Sequence, residues 1–297
     1  MTRSNQGDPP DLSLDGPCSA TRRSFLAMMA ALIGSSASAQ DDTQDRGKST
    51  PRLESMRRLA KEVKVCESTD GKQGPPLALR PEPLLRYTNA TLGVVDGTLW
   101  GWGERGRPSA VMKLGFRGPA RGQRHWAYRV NVLSAKQIEV TFGDGQTWSS
   151  RKPGLELSPL PDAPAPADSA ARRLIQSKDI ARRHSVSAEN TNPRGRIQLR
   201  LLPKPIDRYS DPKVGLLDGV LFSFVYTNNP SVLLVLEAWS EDKGARGWRY
   251  AFVRQGYGEV TALLDGKPVW SLSSDRPPAD TGLFITRQMP ASPEEQD

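Results

Sequence analysis

An internal repeat is the feature that most constrains the fold of this chain. Residues 203–271 align without a gap with residues 81–149, and the two segments share prolines, glycines, aromatic residues and a few charges. Repeated segments are usually units that bury their apolar faces against one another. The sequence therefore predicts two interdependent copies of one structural unit, at residues 50–150 and 168–272.

Each unit has the pattern of a helix followed by short strands. Thr50 is suited to cap the first helix, and Pro51 is suited to its first position, where the missing N–H costs no hydrogen bond. In the second unit Trp248, Tyr250 and Phe252 alternate with other residues, as in a half-buried strand. Short turns join the apolar runs, which favours antiparallel pairing. The prediction is an α+β fold, a tandem repeat of a helix followed by a four- to five-stranded antiparallel meander, with pseudo-twofold symmetry.

The N-terminus has the layout of an export signal. Arg22 and Arg23 precede a short apolar stretch, and Ala37 and Ala39 occupy the two positions that a signal peptidase reads. This layout predicts a Tat-type signal peptide at residues 1–39 and a mature protein in the periplasm or outside the cell. The apolar stretch is shorter than the roughly 20 residues that a membrane-spanning helix needs, so we expect no transmembrane span.

Three further segments lie outside the two units. Residues 40–49 are polar and are predicted to be disordered. The proline-rich residues 151–167 predict a stiff, extended linker. Residues 273–297 form a C-terminal tail, and its acidic end is predicted to be disordered.

Charge and cysteine content narrow the classes of partner. The chain carries a formal net charge of +8, spread along the sequence. This excess permits attraction to an anionic envelope polymer or a lipid surface, whereas export and the lack of a clustered basic stretch argue against a nucleic acid. Cys18 lies within the signal, so Cys66 is left without a disulfide partner and is predicted to have a structural role.

The second unit contains the segments Ala171–Leu174, Leu199–Pro205, Asp218–Phe222 and Asp265–Ser271. In these segments the chain resembles a family of exported proteins from planctomycete bacteria, and the resemblance covers residues 52–272. It implies a secreted α+β protein. Because that family has no assigned activity, the resemblance supplies no catalytic residues.

The sequence lacks the motifs of known catalytic and cofactor sites. Its two histidines, His125 and His184, do not recur in both units. There is no metal-ligand cluster, no nucleophile elbow and no phosphate-binding glycine loop. We therefore predict no catalytic residue, no metal site and no cofactor.

Acidic residues are the groups that remain for catalysis. Paired carboxylates would suit a glycosidase, but an Asp-Gly pair between strands usually forms a hairpin turn. Turns are therefore predicted at four aspartates, which are Asp96, Asp144, Asp218 and Asp265. Glu237 lies in an apolar run, where we expect it to have a partner or to face outward. Aromatic residues such as Trp100 and Trp126 are predicted to pack in cores rather than to form a ligand platform.

Arg86 and Arg208 are the candidate binding residues. Each precedes a tyrosine, and an aspartate follows ten residues later, Asp96 in one unit and Asp218 in the other. In one interpretation, each arginine pairs with the aspartate of its own unit. In the other, the two arginines meet across the symmetry axis and bind an anion, since a guanidinium fork suits a carboxylate or a phosphate.

The sequence leaves two functions open. One is an exported, non-catalytic binding or structural protein of the cell envelope, with an unidentified ligand. The alternative is an envelope hydrolase that acts on glycans or esters through acidic residues. We expect the first, because no catalytic constellation is recognisable in the sequence.

Overall fold

In a computed structural model of the chain, the described residues are 51–120, 123–151, 154–191, 194–240, 245–274, 282–292 and 295. All of them belong to one compact unit. The predicted signal peptide, with Arg22, Arg23, Ala37 and Ala39, lies outside the described residues, as does the polar segment 40–49.

The protein is predominantly β, so the predicted α+β class is wrong. The described residues contain two α-helices, residues 51–61 (α1) and Ala170–Arg182 (α2), against eighteen strands. These strands are distributed over three sheets, and the architecture includes a sheet curled into a half-barrel. The predicted tandem repeat, with one helix and one four- to five-stranded meander in each unit, is therefore not the architecture of this protein.

The strands are numbered in chain order. The first eight are β1 (Lys64–Thr69), β2 (Lys72–Pro76), β3 (Leu85–Asn89), β4 (Val94–Trp102), β5 (Ala110–Ala120), β6 (Gln123–Val132), β7 (Gln137–Thr141) and β8 (Thr147–Ser149). The other ten are β9 (Ser158–Pro159), β10 (His184–Thr191), β11 (Arg194–Leu201), β12 (Asp207–Asp211), β13 (Leu216–Tyr226), β14 (Asn229–Ser240), β15 (Arg246–Arg254), β16 (Val260–Leu264), β17 (Lys267–Leu272) and β18 (Phe284–Pro290).

The wrong fold class has its cause in strands that carry no apolar run. β1 and β2 form a hairpin directly after α1, and β10 and β11 form one directly after α2. β2 has no buried residue, and β11 is mostly polar. Hydrophobic periodicity does not detect strands whose side chains face water. The sequence analysis therefore assigned no strands to these segments, although backbone pairing extends the sheets through them.

The first half of the chain, residues 51–151, forms two antiparallel sheets that share a core with α1 and include one C-terminal strand, β18. The four-stranded sheet has the order β2-β1-β7-β8, and the five-stranded sheet has the order β18-β6-β5-β4-β3. Met56 and Leu59 of α1 pack with Trp100, Trp126 and Val140 of these sheets. The aromatic residues of this half therefore lie in a core.

The second half forms a nine-stranded antiparallel sheet. Its order is β17-β16-β10-β11-β13-β14-β15-β9, and β12 pairs with β13 beside this path. α2 begins after Ser169, whose hydroxyl accepts a hydrogen bond from the backbone N–H of Arg172 and so caps the helix. Near its other end the helix packs Ile180 and Ala181 into the core of this sheet.

A further core joins the two halves. Leu99 and Val111 of the five-stranded sheet pack against Leu221, Leu233 and Val235 of the nine-stranded sheet, and all five side chains are fully buried. Burying one such side chain contributes about 1.5–3 kcal/mol. The face of each sheet that meets this core is therefore an interior surface.

Each half also receives a strand from a segment that was predicted to lie outside it. β9 belongs to the predicted linker and pairs with β15, whereas β18 belongs to the predicted tail and pairs with β6 over seven residues. Leu160, directly after β9, and Phe284 of β18 are buried. β18 thus covers the outer edge of β6, and β9 covers a two-residue part of the edge of β15, where backbone groups would otherwise be unpaired.

Two of the four predicted Asp-Gly turns are present. Asp265 and Gly266 both have positive φ, 48° and 80°, in the hairpin between β16 and β17. Asp144 lies between β7 and β8, and its carboxylate accepts a hydrogen bond from the backbone N–H two residues later. Asp96 and Asp218 instead lie inside β4 and β13, so the turns predicted there are wrong.

The glycines that follow these two aspartates have a different role. A Cβ atom on Gly97 would lie 2.5 Å from a ring atom of Tyr87, and one on Gly219 would lie 2.0 Å from a ring atom of Tyr209. Each tyrosine ring thus lies over a glycine of the neighbouring strand. At these two positions the glycine of the Asp-Gly pair leaves room for a tyrosine ring. The sequence alone does not distinguish this use of an Asp-Gly pair from a hairpin turn.

Candidate anion-binding site

Arg86 and Arg208 bind aspartates of their own sheets. Arg86 Nε and Nη2 lie 3.0 and 2.6 Å from the two carboxylate oxygens of Asp96. Arg208 makes the same bidentate contact with Asp218, at 2.9 and 2.7 Å, and this hydrogen bonding raises the pKa of Arg208. Arg173 Nε adds a further contact to Asp218 at 3.3 Å. Both guanidinium forks are thus occupied by carboxylates of the protein, as the first of the two interpretations requires.

Glu237 is fully buried, and its carboxylate accepts three hydrogen bonds. Oε1 accepts from Arg107 Nη1 and from the Tyr209 hydroxyl, both at 2.9 Å, and Oε2 accepts from Trp239 Nε1 at 3.0 Å. Burial, with this carboxylate beside it, raises the pKa of Tyr209. Because Arg107 belongs to the first half of the chain, the contact joins the two halves. Of the two alternatives expected for Glu237, the structure has the partner, and the side chain does not face outward.

Asp207 forms a second ion pair across the same boundary. Arg80 Nη1 donates to Asp207, and the same guanidinium donates to the carbonyl oxygens of Gly103 and Gly106. Burial raises the pKa of Asp207, with Arg80 acting in the opposite direction. Together with the pairs above, every buried carboxylate in the described part of the chain has an arginine partner.

Three cationic residues share one face of the five-stranded sheet, where Arg129 also lies over the ring of Phe284, 3.6 Å from its centre. Lys113 of β5 lies directly opposite Arg129 of β6. Arg117 lies further along β5, on the same face as Lys113 because side chains alternate in a strand. Like charges directly opposite each other destabilise a sheet. We refer to Lys113, Arg117 and Arg129 as the cationic cluster.

Lys113 reaches from this cluster to the second half of the chain. Its Nζ donates to the carbonyl oxygen of Pro230 at 2.8 Å and lies 5.5 Å from the centre of the Tyr87 ring. Burial, together with the charges of Arg129 and Arg117, lowers the pKa of Lys113 to about 7. The charged neighbours that act on Lys113 are thus both cations. A bound anion would offset this repulsion and favour the charged lysine.

The sequence analysis did not single out the cationic cluster. Lys113, Gly115 and Arg117 alternate with Met112 and Leu114, a pattern that usually indicates a strand with one face in water. In the folded protein that face meets the second half of the chain. The alternation correctly indicates a strand with one polar face. It does not show that the second half of the chain covers this face, because that is a tertiary contact.

The other groups considered from sequence have structural surroundings. Cys66 is a free, buried cysteine, and burial raises the pKa of its thiol, which disfavours the reactive thiolate. Burial also lowers the pKa of His125.

The described residues contain no group of three or more His, Cys, Asp or Glu placed to hold a metal ion. Within the same residues, no helix has the length and apolar character to cross a membrane.

His184 makes the stability of the second half depend on pH. Its ring is buried, Nδ1 lies 3.0 Å from the carbonyl oxygen of Ile180, and burial lowers its pKa from 6.5 to about 4. Between pH 4 and pH 6.5, His184 is protonated in the unfolded chain and neutral in the folded protein. Stability is therefore lost as the pH falls from 6.5 to 4, by up to about 3 kcal/mol. Urea unfolding of the wild type and of His184→Gln should show a weaker pH dependence in the variant. Equal dependence in both proteins would contradict this assignment.

Comparison with known proteins gives no match to a protein-family model, to a curated protein or to a solved structure. The resemblance to exported planctomycete proteins therefore stays a prediction.

Proposed function

We propose that this chain is an exported, non-catalytic protein that binds anionic material of the cell envelope. The cationic cluster carries the proposal, because it places three positive charges together at the boundary between the halves. The net charge of +8 adds a long-range attraction to polyanions. The signal pattern at residues 1–39 supports export.

The state of the buried acids favours binding over the alternative, an envelope hydrolase. A glycosidase needs two carboxyl groups that are free to act as acid, base or nucleophile on one bond. Asp96, Asp207, Asp218 and Glu237 are instead held by arginines. Their arrangement supports a role in stabilising the fold.

Of the anionic partners expected from sequence, an envelope polymer fits the site better than a lipid surface. Arg129 is buried and Lys113 is partly buried at the boundary between the halves. A lipid surface binds basic residues that lie together on an exposed face, whereas a single acidic side group of a polymer needs only one donor, such as Lys113 Nζ. The proposed partner is therefore a polymer with acidic side groups.

Retention on insoluble bacterial cell-wall material tests the proposed function. The mature protein, residues 40–297, should be retained at low ionic strength and released as salt screens the attraction. Cell-wall material whose carboxyl groups have been converted to amides is the matched control and should retain much less protein. Retention that is insensitive to salt and to amidation would contradict the proposal, and release of soluble fragments from the material would favour the hydrolase.

A further inference from the structure

In the nine-stranded sheet, three residues that are register neighbours on adjacent strands place a tyrosine hydroxyl against a carboxylate. Tyr209 of β12 pairs with Gly219 of β13, and Gly219 pairs with Glu237 of β14. Because Gly219 has no side chain, the tyrosine ring lies across its strand and the hydroxyl reaches Glu237, at 2.9 Å. Arg107 of the other half also binds this carboxylate. Glu237 therefore supplies a carboxylate to a tyrosine hydroxyl at the boundary between the halves.

The five-stranded sheet has the same tyrosine and the same intervening glycine, but no acid. Tyr87 of β3 pairs with Gly97 of β4, and Gly97 pairs with Gly115 of β5. A Cβ atom on Gly115 would lie 3.6 Å from the Tyr87 hydroxyl oxygen and 3.6 Å from Val94 Cγ1, both ordinary contacts. Position 115 therefore supplies no carboxylate to the Tyr87 hydroxyl, and a Cβ atom at this position would meet no close contact.

The side chains that flank Glu237 and Gly115 differ in charge. Val235 and Trp239 lie two residues before and after Glu237, on its own face of β14. At Gly115 the same places hold Lys113 and Arg117. Where the second half has an acid between two uncharged side chains, the first half has a glycine between two cations.

We propose that a carboxylate of the ligand binds beside Gly115, where it accepts hydrogen bonds from the Tyr87 hydroxyl and from Lys113 Nζ. Arg117 and Arg129 balance its charge from the same face of the sheet. The carboxylate of Asp96 pairs with Arg86 at 2.6 and 3.0 Å on the opposite face of the sheet, so it does not reach this place. A carboxylate is favoured over a phosphate because Glu237 occupies the matching position in the other sheet. This inference rests on the proposed function and specifies the chemical class of the group bound.

Gly115→Glu tests the site without any ligand, because it puts a carboxylate on the chain at the proposed position. Gly115→Gln is the matched control, with the same size and no charge. We expect the thermal midpoint of Gly115→Glu to exceed that of Gly115→Gln by about 3–6 °C, through new contacts with Tyr87 and Lys113. A midpoint for Gly115→Glu at or below that of Gly115→Gln would overturn the proposal.

Acetate is the probe for binding, measured as the rise in thermal midpoint at constant ionic strength. The wild type should be stabilised by acetate, and Gly115→Glu should not respond. Lys113→Met should lower the affinity for acetate by at least about tenfold, because it removes a charged hydrogen-bond donor. Its midpoint without acetate reports the balance between the lost hydrogen bond to Pro230 and the relief of repulsion from two like charges. Lys267→Gln removes an exposed lysine and should leave both quantities unchanged.

Three results would overturn the proposal. They are undiminished acetate binding in Lys113→Met, no response of the wild type to acetate, and tighter binding of inorganic phosphate than of acetate. The proposed function is tested separately by retention on cell-wall material. Full retention of Gly115→Glu would overturn the carboxylate site and leave the proposed function standing. Wild-type protein that responds to acetate as expected, but is not retained, would support the site and overturn the proposed function.

Discussion

Replacing Glu237 with alanine is expected to lower the free energy of unfolding by about 3–5 kcal/mol, because Arg107 then loses its buried partner. The Tyr209 hydroxyl and the Trp239 indole N–H lose their acceptor in the same step. Since Arg107 and Glu237 belong to different halves, the change also weakens the boundary between them. Chemical unfolding of the mature protein measures the loss.

A surface ion pair provides the control for Glu237. Glu259 accepts from Arg196 at 2.6 Å, but both side chains are about half exposed. Exposed pairs of this kind contribute about 0–1 kcal/mol, so Glu259→Ala should have a small effect. Similar losses in the two variants would show that the buried contact does not hold the halves together.

Deleting residues 284–297 is expected to have the second large effect, because it removes β18 and opens the edge of β6. Phe284 and Ala291 are buried, and truncating a buried phenylalanine by itself costs about 3–5 kcal/mol. The deletion also removes Arg287, which binds Asp144. The exposed edge should promote self-association. Thermal unfolding and light scattering of the mature protein measure both effects.

A point substitution on the same strand serves as the control for the deletion. Gln288 is exposed and pairs with Ala127 of β6 through the backbone. Its replacement by alanine should change stability by no more than about 0.5 kcal/mol. A truncated protein that stays monomeric and unfolds at the wild-type midpoint would show that β18 is dispensable.

Sequence patterns predicted the elements that bury apolar residues at regular spacing, and missed those held by backbone pairing or by distant contacts. The strand around Trp248 and Phe252 was predicted from its alternation and is β15. β2 and β11 were missed because few of their side chains are buried. β18 was missed because its segment was assigned to a tail, and it pairs with β6, which is distant from it in the sequence.

At the candidate site, too, the sequence predicted a contact within one sheet and missed the residues at the boundary between the halves. The ten-residue spacing indicated that Arg86 pairs with Asp96, and the structure contains that contact. The cationic cluster was not found, because the charges of Lys113 and Arg117 look like an exposed face until the second half covers them. Local spacing thus predicted a contact within one sheet, but it carried no information about the boundary between sheets.

The position of a bound carboxylate tests the central claim of this account most directly. A crystal structure of the mature protein with acetate should place one carboxylate oxygen within hydrogen-bonding distance of the Tyr87 hydroxyl and the other near Lys113 Nζ, beside Gly115. Arg86 should remain paired with Asp96. Acetate bound to Arg86 or Arg208 in place of the aspartates, with none beside Gly115, would contradict the account.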